Sequence, residues 1–411
     1  MGSSLYTLRR ILSDRNILVL TLSEFISALS FRLWMPYWSL YALDLGASKE
    51  VLGLLSVVQA GSVLVCQIPG GLLADRLGRK KVIVFFTVFE ILTPLLYMLA
   101  RSWPHLVFGA ISQSMSWACM PALNAIVVES LPEDIRGTGI GIYRLVTWLP
   151  RMVMEFVGGV VLDYLGLARG FSIILTWSIV ASILILAVRA WGLYETLGEG
   201  DRCRGGHRLK LNIFDMPQSM LALIAIGGIS SFAARMAMPF VVVYAVEVIG
   251  LTKSEWGLVS MVSGILSVTL SSVGGALSDR IGRKPCLLAS RLIEPASRLG
   301  FIHANNFLQA LAVQSFSAIG RGVGGGLIMK GLLMGGPAWQ ALVADIVPPS
   351  DRGRIMGVMG SAQILLGLPS SWVGGYLWDN YAPEVTFYAS TVMGFIAPLI
   401  LYAFIKESKE K

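Results

Sequence analysis

The stretch Gly70-Gly71-Leu72-Leu73-Ala74-Asp75-Arg76-Leu77-Gly78-Arg79-Lys80-Lys81 returns as Gly274-Gly275-Ala276-Leu277-Ser278-Asp279-Arg280-Ile281-Gly282-Arg283-Lys284. Each copy ends one apolar run and precedes the next. A glycine pair lets two helix backbones approach closely. An aspartate then ends the helix, and a glycine turn carries an arginine and lysine cluster. In lipid such a cluster lies at the surface, and cationic loops are retained on the cytoplasmic side. The block therefore predicts a tight cytoplasmic turn between two membrane helices, made twice.

Composition agrees with that reading. The 411-residue chain is 55% hydrophobic and 14% charged, where a soluble domain carries roughly 25% charged residues. Crossing a bilayer takes about 20 apolar residues, and such runs fill the sequence almost end to end. The expected fold class is an all-α membrane protein with about twelve spans. In the first half these cover about 17–43, 51–74, 82–100, 105–131, 138–163 and 170–193. In the second they cover about 217–247, 255–278, 286–303, 320–347, 354–378 and 385–405. Residues Phe307 to Gly326 extend the ninth span, extend the tenth or form an outer loop helix. Cys66, Cys119, Cys203 and Cys286 have no metal-ligand spacing, so neither disulfide nor metal site is expected. Met1 to Asn16 is polar and basic, without signal-peptide organisation.

About twenty Lys and Arg fall in one set of loops and about four in the other, which places both termini inside. That asymmetry, rather than nucleic acid, accounts for the formal charge of +8. A polar, glycine-rich segment at 194–213 separates an N-terminal six-helix bundle, 1–193, from a C-terminal one, 214–411. The halves repeat each other. Arg32-Leu33-Trp34-Met35-Pro36-Tyr37 matches Arg235-Met236-Ala237-Met238-Pro239-Phe240, and Tyr41-Ala42 matches Tyr244-Ala245. Pro121, Glu129, Pro132, Arg136 and Gly137 match Pro337, Asp345, Pro348, Arg352 and Gly353. Gly158-Gly159 and Asp163 match Gly374-Gly375 and Asp379. Two such repeats suggest alternating access around a central site.

These motifs resemble those of the major facilitator superfamily (MFS), and the resemblance covers essentially the whole chain. Its most specific mark is the doubled G-x-x-x-D-R-x-G-R-K loop; the second is the P-x-x-x-R-G turn at Pro132–Gly137 and Pro348–Gly353. The resemblance implies a cytoplasmic gate built from Gly71, Asp75, Arg76, Gly78, Arg79, Lys80, Glu129 and Arg136. Its counterparts are Gly275, Asp279, Arg280, Gly282, Arg283, Asp345 and Arg352. Asp75 and Asp279 would accept hydrogen bonds at helix starts of the opposite half, where N–H groups are unpaired. Glu129 and Asp345 would pair with loop arginines. The chain departs from the superfamily's drug:proton antiporters, because Ala110 and Ser114 flank Gln113 where those carry Arg and Gly. Pro150 also lies away from Gly158-Gly159.

A charge within a span costs about 2.5–3.5 kcal/mol, so each needs a reason. Arg32 lies about 22 Å along the first span, near the bilayer centre, and Arg235 is its repeat equivalent. Either the two arginines bind an anionic substrate group through forked hydrogen bonds, or each pairs with an acid such as Glu155. Glu24 lies about 12 Å below Arg32, with Arg144 at similar depth and Arg151 and Glu155 one turn apart on the fifth span. Glu24 and Glu155 are either proton carriers or members of static ion pairs. Glu90 and Glu294 are read as structural, with Arg291 and Arg298 as partners of Glu294. Tyr37, Trp117, Asn124, Gln340 and Arg151 complete the candidate substrate site.

The expected activity is secondary active transport of a small organic solute, coupled to protons or a counter-anion. Exchange or uptake of an anionic solute and broad-specificity efflux of lipophilic compounds both remain open. An enzyme is not expected, since His105, His207 and His303 fall at loops or span ends without partners. No phosphate-binding loop supports an ATP-driven pump. Expected partners are the solute, the bilayer and the coupling ion, with no cofactor and no nucleic acid. A plasma-membrane monomer with both termini cytoplasmic completes the expectation.

Overall fold

The computed structural model describes residues 14–131, 136–197, 218–325 and 352–405, with 327–329, 332–334, 339, 342 and 343. The first span opens where the Asp14 carboxylate accepts the Ile17 N–H at 2.9 Å. It runs as α1 (Arg15–Trp34), a 3₁₀ turn over Met35–Tyr37 and α2 (Trp38–Asp44). Pro36 begins the 3₁₀ turn because it lacks an N–H to donate to the α ladder. Then follow α3 (Lys49–Leu77), α4 (Arg79–Met98), α5 (Leu106–Ser116) and α6 (Met120–Ser130), the last two joined by a 3₁₀ turn at Trp117–Cys119. Helices α7 (Arg136–Leu165) and α8 (Leu167–Gly192) complete the first half.

The second half begins with α9 (Gln218–Ala237), and its Pro239 makes the same 3₁₀ break, over Met238–Phe240. Helix α10 (Lys253–Ile281) starts with a capping box between Thr252 and Glu255. After it come α11 (Arg283–Ile302), α12 (Phe307–Gly320), α13 (Arg352–Asn380) and α14 (Pro383–Phe404). Seven helices among the described residues are long and apolar enough to cross a membrane, or eight if bent α10 counts as one span. Helix α11 is less apolar because Arg291, Glu294 and Arg298 lie inside it. Val65, Phe108, Trp191, Leu399 and Tyr402 are exposed on their helices, as lipid-facing side chains are.

The tenth span differs from its predicted course over 320–347. Helix α12 starts at Phe307, where the Asn306 side chain accepts the Gln309 N–H at 3.0 Å. It passes into a π turn over Arg321–Gly325. Beyond it, β1 (Leu327–Met329) pairs antiparallel with β2 (Leu332–Met334), Leu327 opposite Met334. Gly320, Gly322, Gly324, Gly325 and Gly326 crowd this stretch, and each glycine costs a helix about 1 kcal/mol relative to alanine.

Contacts divide the chain into two units. One holds Met1–Leu45 with Ser62–Leu209; the other holds Gly46–Gly61 with Lys210–Lys411. Each has its own apolar core. In the first unit Leu20, Ile83, Phe86 and Ile126 cluster, and in the second Leu223, Leu287, Leu342 and Met359 do so.

The same backbone devices recur in both units. Gly78 and Gly282 turn the chain with φ of 98° and 99°, a region where only glycine is unstrained. A Cβ on Gly158 would stand 2.2 Å from the Leu33 carbonyl oxygen, and one on Gly374 would stand 2.3 Å from that of Met236. The Tyr41 hydroxyl donates to the Tyr97 carbonyl at 2.8 Å, and the Tyr244 hydroxyl to that of Ile302 at 3.0 Å. A repeat detected in sequence is therefore also a repeat of close approaches and buried bonds.

Candidate functional site

The first unit holds a connected charge network inside its helices. Arg189, near the end of α8, is fully buried. It donates to Glu24 at 3.1 Å, Glu90 at 3.1 Å, Thr87 Oγ1 at 2.9 Å and Ser23 Oγ at 3.2 Å. Those four acceptors occupy most of a guanidinium's five donor hydrogens. Glu24 uses its second oxygen to accept from Arg151 on α7 at 2.5 Å. One helical turn beyond Arg151, Glu155 accepts from Arg32 at 2.7 Å. The Tyr37 hydroxyl donates to the Glu155 backbone carbonyl at 2.7 Å. Helices α1, α4, α7 and α8 thus contribute three arginines and three glutamates.

Glu24 is the centre of this arrangement. It is 6% exposed and bridges two guanidinium groups from different helices. The sequence pairs it with Arg144 by depth, and the structure shows salt bridges from Arg151 and Arg189. Arg151 sits two turns further along α7 and reaches back, while the side chain of Arg144 lies outside the described residues. Arg32 takes the acid partner that the sequence offered as one alternative. Its equivalent Arg235 donates to Ser231 Oγ at 3.2 Å and lies against Gly367.

Other candidate residues are distributed more widely. Tyr37 is fully buried, with its hydroxyl bonded to the Glu155 backbone carbonyl. Trp117 is buried at the break between α5 and α6, its ring 6.4 Å edge-on from that of Phe31. Asn124 is exposed on α6. Gln340 and Asp345 lie outside the described residues, and Arg136 and Arg352 begin α7 and α13 with side chains outside them.

At the repeated loop, Asp75 and Arg76 are exposed at the end of α3, as Asp279 and Arg280 are at the end of α10. Gly71 approaches Pro121, and Gly275 is half-buried. Arg79 forms an ion pair with Glu129 and donates to Thr196 Oγ1 at 3.3 Å. The start of α4 is capped by Glu195, whose carboxylate accepts the N–H groups of Arg79 at 3.0 Å and Lys80 at 3.2 Å. That carboxylate comes from the segment after α8. Gly282 makes the matching turn before Arg283 in the second unit.

The sequence reading missed Arg189 and Glu195. Arg189 falls inside the predicted sixth span, so the rule that an intramembrane charge needs a reason applies to it. Glu195 carries no local pattern, because the N–H groups of Arg79 and Lys80 that it caps are more than a hundred residues away. In the second unit Glu294 interacts electrostatically with Arg291 and Arg298, as expected, and with Arg321. None of the three guanidinium nitrogens of Arg291 has a hydrogen-bond partner among the described residues. The Arg291 guanidinium lies over the Trp339 ring, 5.4 Å from its centroid. Arg298 donates to the Ser390 carbonyl at 3.3 Å.

Comparison with known proteins places this architecture. The model of the Major Facilitator Superfamily matches residues 20–329 and 223–411. The chain is 24% identical over 402 residues to an uncharacterized MFS-type transporter of Methanocaldococcus jannaschii, covering 94% of each chain. Over 181 residues it is 31% identical to the multidrug resistance protein MdtG of Salmonella arizonae, covering 43% of this chain and 42% of that one. The xylose transporter XylE from E. coli, in an inward open conformation, superimposes with a TM-score of 0.69 at 17% identity, covering 99% and 98%. At that identity the likeness is one of fold.

Proposed function

Because the chain belongs to the Major Facilitator Superfamily, we propose that it moves a small organic solute by alternating access, coupled to protons through Glu24 and Glu155. The observation that carries this reading is the buried network in which Glu24 bridges Arg151 and Arg189. Desolvation favours the neutral form of a carboxyl group, and an adjacent guanidinium favours the charged form. A helix motion that separates Arg151 from Glu24, or Arg32 from Glu155, therefore changes the proton affinity of the carboxyl group. Solute binding that biases such a motion couples solute to proton movement. Arg189 stays with α8 as the fixed counter-charge.

In this reading the duplicated loops act as the cytoplasmic gate. The Arg79–Glu129 pair and the Glu195 cap are interactions that closing and opening would remake. The lysine and arginine loops and both termini face the cytoplasm of a plasma-membrane monomer.

A second reading, proton-driven efflux of lipophilic compounds, is favoured by the 31% identity with MdtG over 181 residues. Flux into and out of proteoliposomes, measured with carboxylates, organophosphates and lipophilic cations under an imposed pH gradient, separates the two. Gradient-driven movement of one anionic class supports solute exchange or uptake, and movement of structurally unrelated cations supports efflux. Flux of every class that ignores the gradient refutes proton coupling.

A further inference from the structure

The second unit contains a cluster of buried positive charge that the transport reading does not use. Arg291 is 3% exposed in the middle of α11, and its three guanidinium nitrogens lack partners among the described residues. Arg298 follows seven residues later on the same helical face, with Glu294 between them. Arg321 opens the π turn that follows α12 and donates to Ser317 Oγ at 2.6 Å. This turn lies against α11. A Cβ on Gly320 would meet Ile293 at 2.7 Å, and one on Gly324 would meet the Cys286 carbonyl oxygen at 3.0 Å. Glu294 interacts electrostatically with all three arginines.

Among the described residues, three cations share one acid, and the site is short of negative charge. Burying a guanidinium without an acceptor costs far more than losing one neutral hydrogen bond. The Trp339 ring covers one face of Arg291 and attracts the cation. It accepts none of the in-plane N–H groups, whose fork matches two oxygens of a carboxylate or phosphate. We propose that Arg291, supported by Arg298 and Arg321, binds an oxyanion group between α11 and the Arg321–Gly325 turn. A spherical halide would fill the charge but not the fork. The group belongs to a soluble anion or to the head of an anionic lipid. This site does not depend on the proton-coupling reading, since its residues lie on other helices than Glu24 and Glu155.

The test uses the full-length protein in nanodiscs of phosphatidylcholine alone, with labelled inorganic phosphate as probe and chloride at equal ionic strength as control. A parallel arm adds phosphatidylglycerol and reads its enrichment around the purified protein by mass spectrometry. Saturable phosphate binding in the neutral disc, weakened at least about tenfold by Arg291→Gln, identifies a soluble oxyanion site. Enrichment of phosphatidylglycerol that Arg291→Gln removes identifies a lipid head. Arg321→Gln, at a less buried position, gives a smaller loss in the same direction and serves if Arg291→Gln does not fold. The proposal is overturned if the native protein binds neither probe, or if Arg291→Gln and Arg321→Gln bind as tightly as the native chain.

Discussion

The two units share their turns, close approaches and buried tyrosine bonds, yet they treat charge in opposite ways. In the first unit Arg32, Arg151 and Arg189 each meet a glutamate, and the fully buried Arg189 meets two. In the second unit Arg291 lies equally deep with no hydrogen-bond partner among the described residues. Glu294 is the repeat equivalent of Glu90, but among the described residues only Glu90 sits in a salt bridge with an arginine of another helix. Duplication has thus kept the scaffold, where geometry leaves no choice, and let the intramembrane charges diverge. A network complete in itself is suited to move a proton between fixed partners. One short of an acceptor is suited to receive an anion.

The largest expected effect breaks this contrast directly. Removing one partner of a buried ion pair costs about 3–5 kcal/mol, because the other charge remains without compensation. Arg189→Leu takes the salt bridge from Glu90 and leaves Glu24 with Arg151, so it should lower the melting temperature by many degrees. Arg291→Leu in oxyanion-free buffer should leave the melting temperature unchanged or raise it, since it removes a buried cation whose N–H groups have no acceptor among the described residues. Equal losses at the two positions would mean that Arg291 is compensated as fully as Arg189.

The next effect concerns what the units share. Overpacking a tight contact costs about 1–3 kcal/mol. Gly158→Ala and Gly374→Ala each drive a Cβ onto a carbonyl of the facing helix, and both should destabilise to a similar extent in thermal melts. A loss at only one of them would show that the helix pairs are not equivalent. The smallest effect is the loss of one hydroxyl. Tyr41→Phe and Tyr244→Phe each remove a single buried bond, worth about 0.5–1.5 kcal/mol. Denaturant or heat titration should report matching small losses.

The scaffold was legible because its requirements are local. A turn with φ near 98° demands glycine, and Gly78 and Gly282 stand at matching places. Proline removes a donor, so Pro36 and Pro239 mark the breaks in the first and seventh spans. Glu24, Arg32, Arg151 and Glu155 were legible as costly charges, and Glu155 as a partner for Arg32, but the partners of Glu24 were not. Depth along a helix does not give the reach of a long side chain, which is why the Arg151–Glu24 pair was not read from the sequence. Arg189 was hidden by its place near a helix end, where basic side chains ordinarily extend to the membrane surface. Over Leu327–Met329 and Leu332–Met334 the structure departs from the predicted tenth span because hydropathy registers apolar content and not the backbone freedom of the glycines before it.

Glu24→Gln, reconstituted in proteoliposomes and compared with the native protein for solute uptake under imposed pH gradients, tests the central claim most directly. The account predicts that the native protein's flux follows the gradient, while the variant, folded by its melting curve, has lost that dependence. A variant whose flux follows the gradient as the native protein's does would contradict it, and Glu24 would then be a static member of the packing.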